Sequence, residues 1–217
     1  MKIALAQLNY TIGDFAGNTA KIIKAIEQAR INGASLVVFS ELAVCGYSPD
    51  DLLDYPHFIQ QCTDALLEIT KATTGITAIV GCPVPNTHLK GRRLYNAACI
   101  LKNGVHVDSI YKTLLPTYDV FSEARYFQSN DVFRTVDING VNTAITICED
   151  LWDEMDFFSY TEDPLKNLSA FHPQLILNIS ASPFNADKEK TRYEILRNQA
   201  LNFNMPLLYV NQVGAHT

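Results

Sequence analysis

Ala144-Ile145-Thr146-Ile147-Cys148-Glu149-Asp150-Leu151-Trp152 reads as an apolar strand that hands a thiol straight into an acidic turn. In open α/β sheets, reactive groups gather at the carboxyl ends of strands, where loops carry them to a crevice. Two further residues occupy the same kind of place. Glu41 closes the apolar stretch Leu36-Val37-Val38-Phe39-Ser40, and Lys112 closes the strand-like Val105-His106-Val107-Asp108-Ser109-Ile110-Tyr111. A carboxylate, an ammonium and a thiol at three strand ends are the components of a cysteine amidase.

Working outward, residues 2 to 9 are rich in Ile, Leu and Ala and predict an opening buried strand. Ile22, Ile23, Ile26 and Ala29 recur at helical spacing between Asn18 and Asn32, and Gly33 supplies a C-terminal stop. A second helix is predicted from about Pro56 to Thr74, with Phe58, Ile59, Cys62, Ala65, Leu66 and Ile69 on one face, followed by a strand from Ile76 to Val84. Asn103-Gly104 and Asn139-Gly140 each sit between strand-like runs and signal type I′ hairpins, the second joining 132–138 to 141–147. A strand at 175–180, a helix at 187–203 and a strand at 207–211 complete the series. The pattern is α/β, with antiparallel hairpins inside a mixed sheet, and no repeat or linker divides it, so one domain is expected. A last strand running toward the chain end reads as a fold that continues into further sequence.

At 217 residues and 47% hydrophobic content, the chain can bury a substantial core. A net charge of −6 without a basic stripe argues against nucleic acid or anionic membrane as a partner. No apolar run approaches the ~20 residues that span a bilayer, and Met1-Lys2-Ile3-Ala4-Leu5-Ala6-Gln7 turns polar too soon for a secretion signal, so a cytoplasmic location is expected. The five cysteines are odd in number, widely spaced and mostly set in apolar segments, which predicts reduced thiols rather than a disulfide framework. With no Cys-x-x-Cys and five scattered histidines, no structural metal is expected.

A thiol with a pKa near ~8.5 is a weak nucleophile at neutral pH and needs a base, a nearby cation or both. Glu149 and Asp150 add to the difficulty, because adjacent carboxylates repel a thiolate. Lys112 is the candidate for the compensating charge. Histidine is absent from these strand ends, so Glu41 is the better base. In this scheme Glu41 takes the thiol proton, Cys148 attacks an amide carbonyl, and Lys112 stabilises the oxyanion together with a backbone N–H near residue 149. Taken singly, each residue also has a plain structural reading. A free cysteine is usually a core residue, and a lone loop Glu or Lys is usually just solvated.

The motifs around these residues are more specific. Phe-Ser-Glu41-Leu, Tyr-Lys112-Thr-Leu-Leu-Pro and Ile-Cys148-Glu-Asp-Leu-Trp resemble the nitrilase (carbon–nitrogen hydrolase) superfamily, whose Glu-Lys-Cys triad lies at strand ends of an αββα sandwich. Within it the chain is most similar to the amino-terminal glutaminase domains of glutamine-dependent NAD synthetases. That likeness rests on the segments 46–53 (Gly-Tyr-Ser-Pro-Asp-Asp-Leu-Leu), 115–127 (Leu-Pro-Thr-Tyr-Asp-Val-Phe-Ser-Glu-Ala-Arg-Tyr-Phe) and 178–184 (Asn-Ile-Ser-Ala-Ser-Pro-Phe). Asp50-Asp51 and Ser122 depart mildly from that pattern, and the end from Gln212 lacks its usual Gly-Gly after Val.

The resemblance implies an αββα sandwich with mixed sheets, cut short at its C-terminal end. Residues 1–217 would form one glutamine amidohydrolase domain, incomplete and lacking the synthetase domain. It implies Glu41 as proton acceptor, Lys112 as oxyanion stabiliser and Cys148 as nucleophile, with Glu123 orienting Lys112. Tyr118, Ser182 and Lys188 fall where those enzymes contact glutamine, and an ammonium at Lys188 suits a substrate carboxylate. No cofactor is implied for this chain, since ATP and magnesium belong to the synthetase domain, its expected partner, and homo-oligomers are implied. The alternatives are a stand-alone amidase of the ω-amidase or carbamoyl hydrolase type, or a non-catalytic assembly module.

Overall fold

In the computed structural model, residues 1–88, 90–152, 160–183 and 188–214 are described. The first half runs β1 (Ile3–Ala6), α1 (Phe15–Ile31), β2 (Leu36–Phe39), a 3₁₀ turn (Asp50–Asp54), α2 (Pro56–Lys71), β3 (Thr77–Pro85), β4 (Leu94–Lys102) and β5 (Val105–Tyr111). The second half runs α3 (Glu123–Tyr126), β6 (Val136–Ile138), β7 (Val141–Ile147), a 3₁₀ turn (Cys148–Leu151), α4 (Pro164–Ser169), β8 (Leu175–Ser180), α5 (Lys188–Asn202) and β9 (Leu207–Asn211). Among the described residues, no helix is long and apolar enough to cross a membrane.

The strands form two sheets, ordered β1-β2-β3-β4-β5 and β6-β7-β8-β9, rather than the single mixed sheet that the strand pattern alone predicts. Strands apolar on both faces do not say which strands share a ladder, and here the long connection after β5 carries the chain onto a second layer. Both sheets are mixed. β1, β2 and β3 are parallel and continue into antiparallel β4 and β5, while β6 is antiparallel to β7 and β7, β8 and β9 are parallel.

Side-chain alternation assigns the layers. Leu36 and Val38 of β2 join Ile79 and Ile100 against Ile145, Ile147, Leu177, Ile179 and Val210 of the other sheet. Val37 and Phe39 face the opposite way, into a core shared with Ile22 and Ile26 of α1 and with Phe58, Cys62 and Ile69 of α2. Ala144 and Ile176 face a third core with Leu165, Leu168 and Leu196 of α4 and α5. The order helix, sheet, sheet, helix is the expected αββα sandwich.

Local chemistry explains where elements start and turn. Asp14 begins α1 earlier than the periodicity suggests, because its carboxylate accepts the N–H of Gly17 at 2.9 Å. Asn18 is buried instead, tying Thr11 and Val44 together through its amide. Asn103 and Gly104 (φ 50° and 78°), like Asn139 and Gly140 (φ 53° and 85°), have the paired positive φ values of type I′ hairpins. The strand predicted at 132–138 shortens to Val136–Ile138, because the Asn130 side chain bonds both the N–H and the C=O of Val132 and so curls that backbone out of the ladder. α4 escaped the periodicity; its signal is Asp163-Pro164, with the Asp163 carboxylate capping the N–H of Lys166 at 2.9 Å.

Gly81, in the middle of β3, lies against the turn that follows β2. A β-carbon there would run into the carbonyl oxygen of Ser40 and the amide nitrogen of Leu42, the residues flanking Glu41. Gly33, at φ 76° but with open space around it, is the natural contrast. We expect Gly81→Ala to cost about 2–3 kcal/mol in denaturant titrations, against about 1 kcal/mol for Gly33→Ala, because only the first forces backbone apart.

Candidate active site

β2, β5 and β7 deliver Glu41, Lys112 and Cys148 to one edge of the sandwich. β5 is two antiparallel steps from β3 and so points the same way as β2, which brings Glu41 and Lys112 out on the same side of the first sheet. Cys148 comes from the second sheet, in the first residue after β7. Both turns hold a non-glycine residue in the left-handed region: Leu42 at φ 47°, just after Glu41, and Cys148 itself at φ 44°. Such a conformation costs about 1–3 kcal/mol and persists only where packing holds it. At Cys148, buried at 6% exposure, it turns the thiol sharply off the strand end.

The Lys112 ammonium is fully buried and bridges two carboxylates, with Nζ 2.7 Å from Glu41 Oε1 and 2.7 Å from Glu123 Oε1. The rest of the shell is specified atom by atom. Asn96 donates its amide to Glu41 Oε1 at 2.8 Å, the Ala181 N–H donates to Glu41 Oε2 at 3.0 Å, and the Tyr47 hydroxyl donates to Glu123 Oε1 at 2.8 Å. Glu123 is therefore in direct contact with Lys112.

Burial and mutual charge set the protonation of this cluster. Burial alone would push the Lys112 ammonium down, but Glu123 and Glu41 outweigh it and hold its pKa well above the usual lysine range. One ammonium cannot fully compensate two buried carboxylates. Burial raises Glu123 to about 7, with Lys112 opposing and Glu41 reinforcing the rise. The Cys148 thiol is raised above its ordinary value, first by burial and then by Glu41; Lys112 pulls it back, while Glu149 and Glu123 push it up. The resting thiol is thus protonated and needs a proton acceptor before it can attack.

The two acidic residues after Cys148 have separate tasks. Glu149 accepts the hydroxyls of Tyr118 at 2.6 Å and Tyr160 at 3.2 Å on one oxygen, Oε1. Asp150 turns away from the thiol. Its Oδ1 accepts the N–H groups of Thr113 at 3.1 Å and Leu114 at 2.8 Å, and its Oδ2 accepts that of Ile147 at 3.0 Å. Burial pushes Asp150 up to about 6 despite those three donors.

Ser182 follows β8 and is held near the site: its N–H donates to Asn211 Oδ1 at 2.8 Å, and its hydroxyl accepts Arg192 Nη2 at 3.1 Å. Lys188 opens α5, and its side chain lies outside the described residues. Asn96 and Arg192 carry no strand-end or motif signal that would single them out in the sequence, while Tyr47 and Asn178 lie in the segments 46–53 and 178–184 that carry the resemblance without being assigned a role there. Asn96 and Asn178 have a weaker one, a fully buried amide inside an apolar strand. Asn178 donates to Thr146 Oγ1 at 3.0 Å and to the Cys148 carbonyl at 3.4 Å, steadying the nucleophile turn. Cys45, Cys62, Cys82 and Cys99 are buried free thiols, and among the described residues no group of three or more His, Cys, Asp or Glu could hold a metal.

The raised Glu123 carboxyl makes stability pH-dependent. An unfolded glutamate releases its proton near 4.5, whereas Glu123 in the fold keeps it until about 7. Over that window the folded state binds the extra proton, so this contribution is fullest below the lower value and is lost as pH rises through the upper one. Asp150 acts in the same direction but has finished by about 6. Thermal midpoints should fall as pH rises from about 6 to about 7.5, and Glu123→Gln should flatten that fall. A slope unchanged in the variant would mean another group titrates.

Solved structures share this architecture. A glutamine-dependent NAD+ synthetase from Acinetobacter baumannii, in complex with ADP, superposes with a TM-score of 0.88 and 31% identity, covering 98% of this chain and 38% of that one. An amidase of the nitrilase superfamily from Nesterenkonia has the same fold, with a TM-score of 0.84 and 21% identity, covering all of this chain and 78% of its own. Among curated proteins, the glutamine-dependent NAD(+) synthetase of a Synechocystis strain is 40% identical over 99% of this chain and 40% of its own length. That of Aquifex aeolicus is 33% identical over 99% of this chain and 36% of its own. The chain therefore spans about two fifths of the relatives it matches. Residues 2–217 match the carbon-nitrogen hydrolase family, and the chain belongs to it.

Proposed function

We propose that this chain is the glutaminase unit of a glutamine-dependent NAD synthetase, hydrolysing glutamine to glutamate and ammonia through a cysteine thioester. The observation that carries the reading is similarity over nearly the whole chain to enzymes of that name, with a buried Glu41–Lys112–Glu123 cluster beside Cys148.

The chemistry follows from the charges. Glu41 accepts the Cys148 proton as Sγ attacks the side-chain amide carbon, and Lys112 faces the negative charge that develops on the carbonyl oxygen. Glu123 and Asn96 hold Lys112 and Glu41 in place, so little reorganisation is needed as charge moves. Collapse of the tetrahedral adduct breaks the C–N bond, and Glu41 returns its proton to the leaving nitrogen, releasing ammonia. Water then adds to the thioester with Glu41 again as base, and glutamate leaves with the thiol restored.

Recognition of the amino acid end falls to the surrounding polar groups. Glu149, next to the nucleophile and already accepting two phenols on Oε1, offers a carboxylate to the substrate ammonium. Tyr118, Ser182 and Lys188 complete the glutamine site. In the whole enzyme the ammonia would pass to a synthetase domain that uses ATP and magnesium to amidate deamido-NAD. A cytoplasmic homo-oligomer is part of the same proposal.

An electrophilic glutamine analogue should place a single adduct on Cys148, blocked by glutamine and read by intact mass and peptide mapping. Adducts spread over several cysteines would sink the reading. Glu41→Gln should lower turnover by about 10²–10⁴-fold in a folded chain, and near-normal activity would exclude it as the base. Lys188→Ala should raise the glutamine KM more than it lowers kcat, and an unchanged KM would remove Lys188 from the site.

A further inference from the structure

A cavity of about 260 Å³ opens between α3 and the loop that leads into β4, lined among others by Asp54, Gly91, Arg92, Arg93, Arg125 and Tyr126. Three of these residues are arginines, in a chain whose formal net charge is −6. Asp54, the one carboxylate among the described lining residues, is ion-paired with none of them. An acidic chain that gathers three guanidiniums around one concavity sets up a local field opposite to its overall charge.

The walls are fastened to one another. Arg92 donates Nε to the Ala124 carbonyl at 3.1 Å and its backbone N–H to Gln128 Oε1 at 3.0 Å. Gln128 in turn donates its backbone N–H to the Leu94 carbonyl at 2.7 Å. Gly91, at φ 93°, is bare where the Gln128 side chain crosses it, since a β-carbon there would collide with Oε1. The Arg125 guanidinium lies over the ring of the buried Tyr126, 5.4 Å from its centroid. A carbonyl and an aromatic ring hold two of the arginines in place without neutralising either charge.

A carboxylate has two oxygens and one charge, which suit a single guanidinium fork. Three forks around one volume call for more oxygens and more charge, and phosphate groups supply both. We infer that this cavity binds an anion of the phosphate class, a diphosphate being able to engage all three arginines, and that the bound anion fastens α3 to the start of β4. Its volume suits a small polyanion better than the several side chains of an acidic protein segment. The site lies outside the catalytic cluster but touches its supports: α3 begins with Glu123, which contacts Lys112, and β4 carries Asn96, which contacts Glu41. It would serve the chain whether or not glutamine is the substrate.

Inorganic pyrophosphate is the probe, titrated calorimetrically into the chain at constant ionic strength without divalent cations. Inorganic phosphate, ADP and a hexaglutamate peptide are titrated in parallel. Pyrophosphate should bind one to one, and the double variant Arg93→Gln/Arg125→Gln should weaken it by about 10-fold or more. Lys24→Gln, on the exposed side of α1, should change it by less than about twofold. Phosphate should bind about 10-fold more weakly than pyrophosphate. Whichever of ADP and pyrophosphate binds more tightly tells a nucleoside diphosphate from the free anion, and either result supports the site. Hydrogen exchange on the unaltered chain, which needs no variant to fold, should show amides of 91–94 and 123–128 slowed by pyrophosphate. No saturable binding, equal losses in Lys24→Gln and the double variant, or phosphate binding as tightly as pyrophosphate would overturn the assignment. So would binding that leaves those amides unprotected, or hexaglutamate displacing pyrophosphate with higher affinity, which would mark the cavity as a docking point for a protein segment.

Discussion

A lysine ammonium with no access to water, bridging two carboxylates at 2.7 Å each, is the constraint around which this edge of the molecule is organised. Taking three charged groups out of water costs several kcal/mol apiece and is recovered only if geometry and hydrogen bonding are nearly complete. Completion comes from far apart in sequence: Asn96 from β4, Tyr47 from the loop after β2, Glu123 from α3 and the Ala181 N–H from beyond β8. The cluster is therefore a product of the whole sandwich. Burial at this edge, reinforced by the Glu41 charge, is also what raises the Glu123 carboxyl and keeps the Cys148 thiol protonated at rest.

The same edge collects backbone strain. Leu42 and Cys148 both sit at positive φ, and Gly81 is bare where its strand passes the Glu41 turn. The apolar layer between the sheets, built from residues such as Val38, Ile79, Ile145 and Leu177, anchors the strands that carry these turns. Strain of this kind needs a rigid support, and a sheet packed on both faces provides one.

Much of this was legible in the sequence, for local reasons. Both Asn-Gly hairpins, the two long amphipathic helices and the buried strands follow from periodicity and turn chemistry. Glu41, Lys112 and Cys148 stand out because each ends an apolar or strand-like run. The division into two sheets was not legible from the strands themselves, since a strand buried on both faces carries no mark of its neighbour. Asn96 and Arg192 were missed because a polar residue inside an element becomes informative only when its partner is known, and these partners lie 10 to 55 positions away. Val132 misled for the opposite reason: an apolar residue was drawn out of the ladder by a neighbouring asparagine.

Asp150 is also a mechanical part. Its carboxylate holds the backbone just after Lys112, at Thr113 and Leu114, together with the backbone just before Cys148, at Ile147. One side chain thus rivets the first sheet to the second at the point where their candidate catalytic groups meet. The interdigitated core supports the two sheets over their whole faces, and these directional bonds add a short path at one edge that fixes the turn after Lys112 against the turn that carries Cys148.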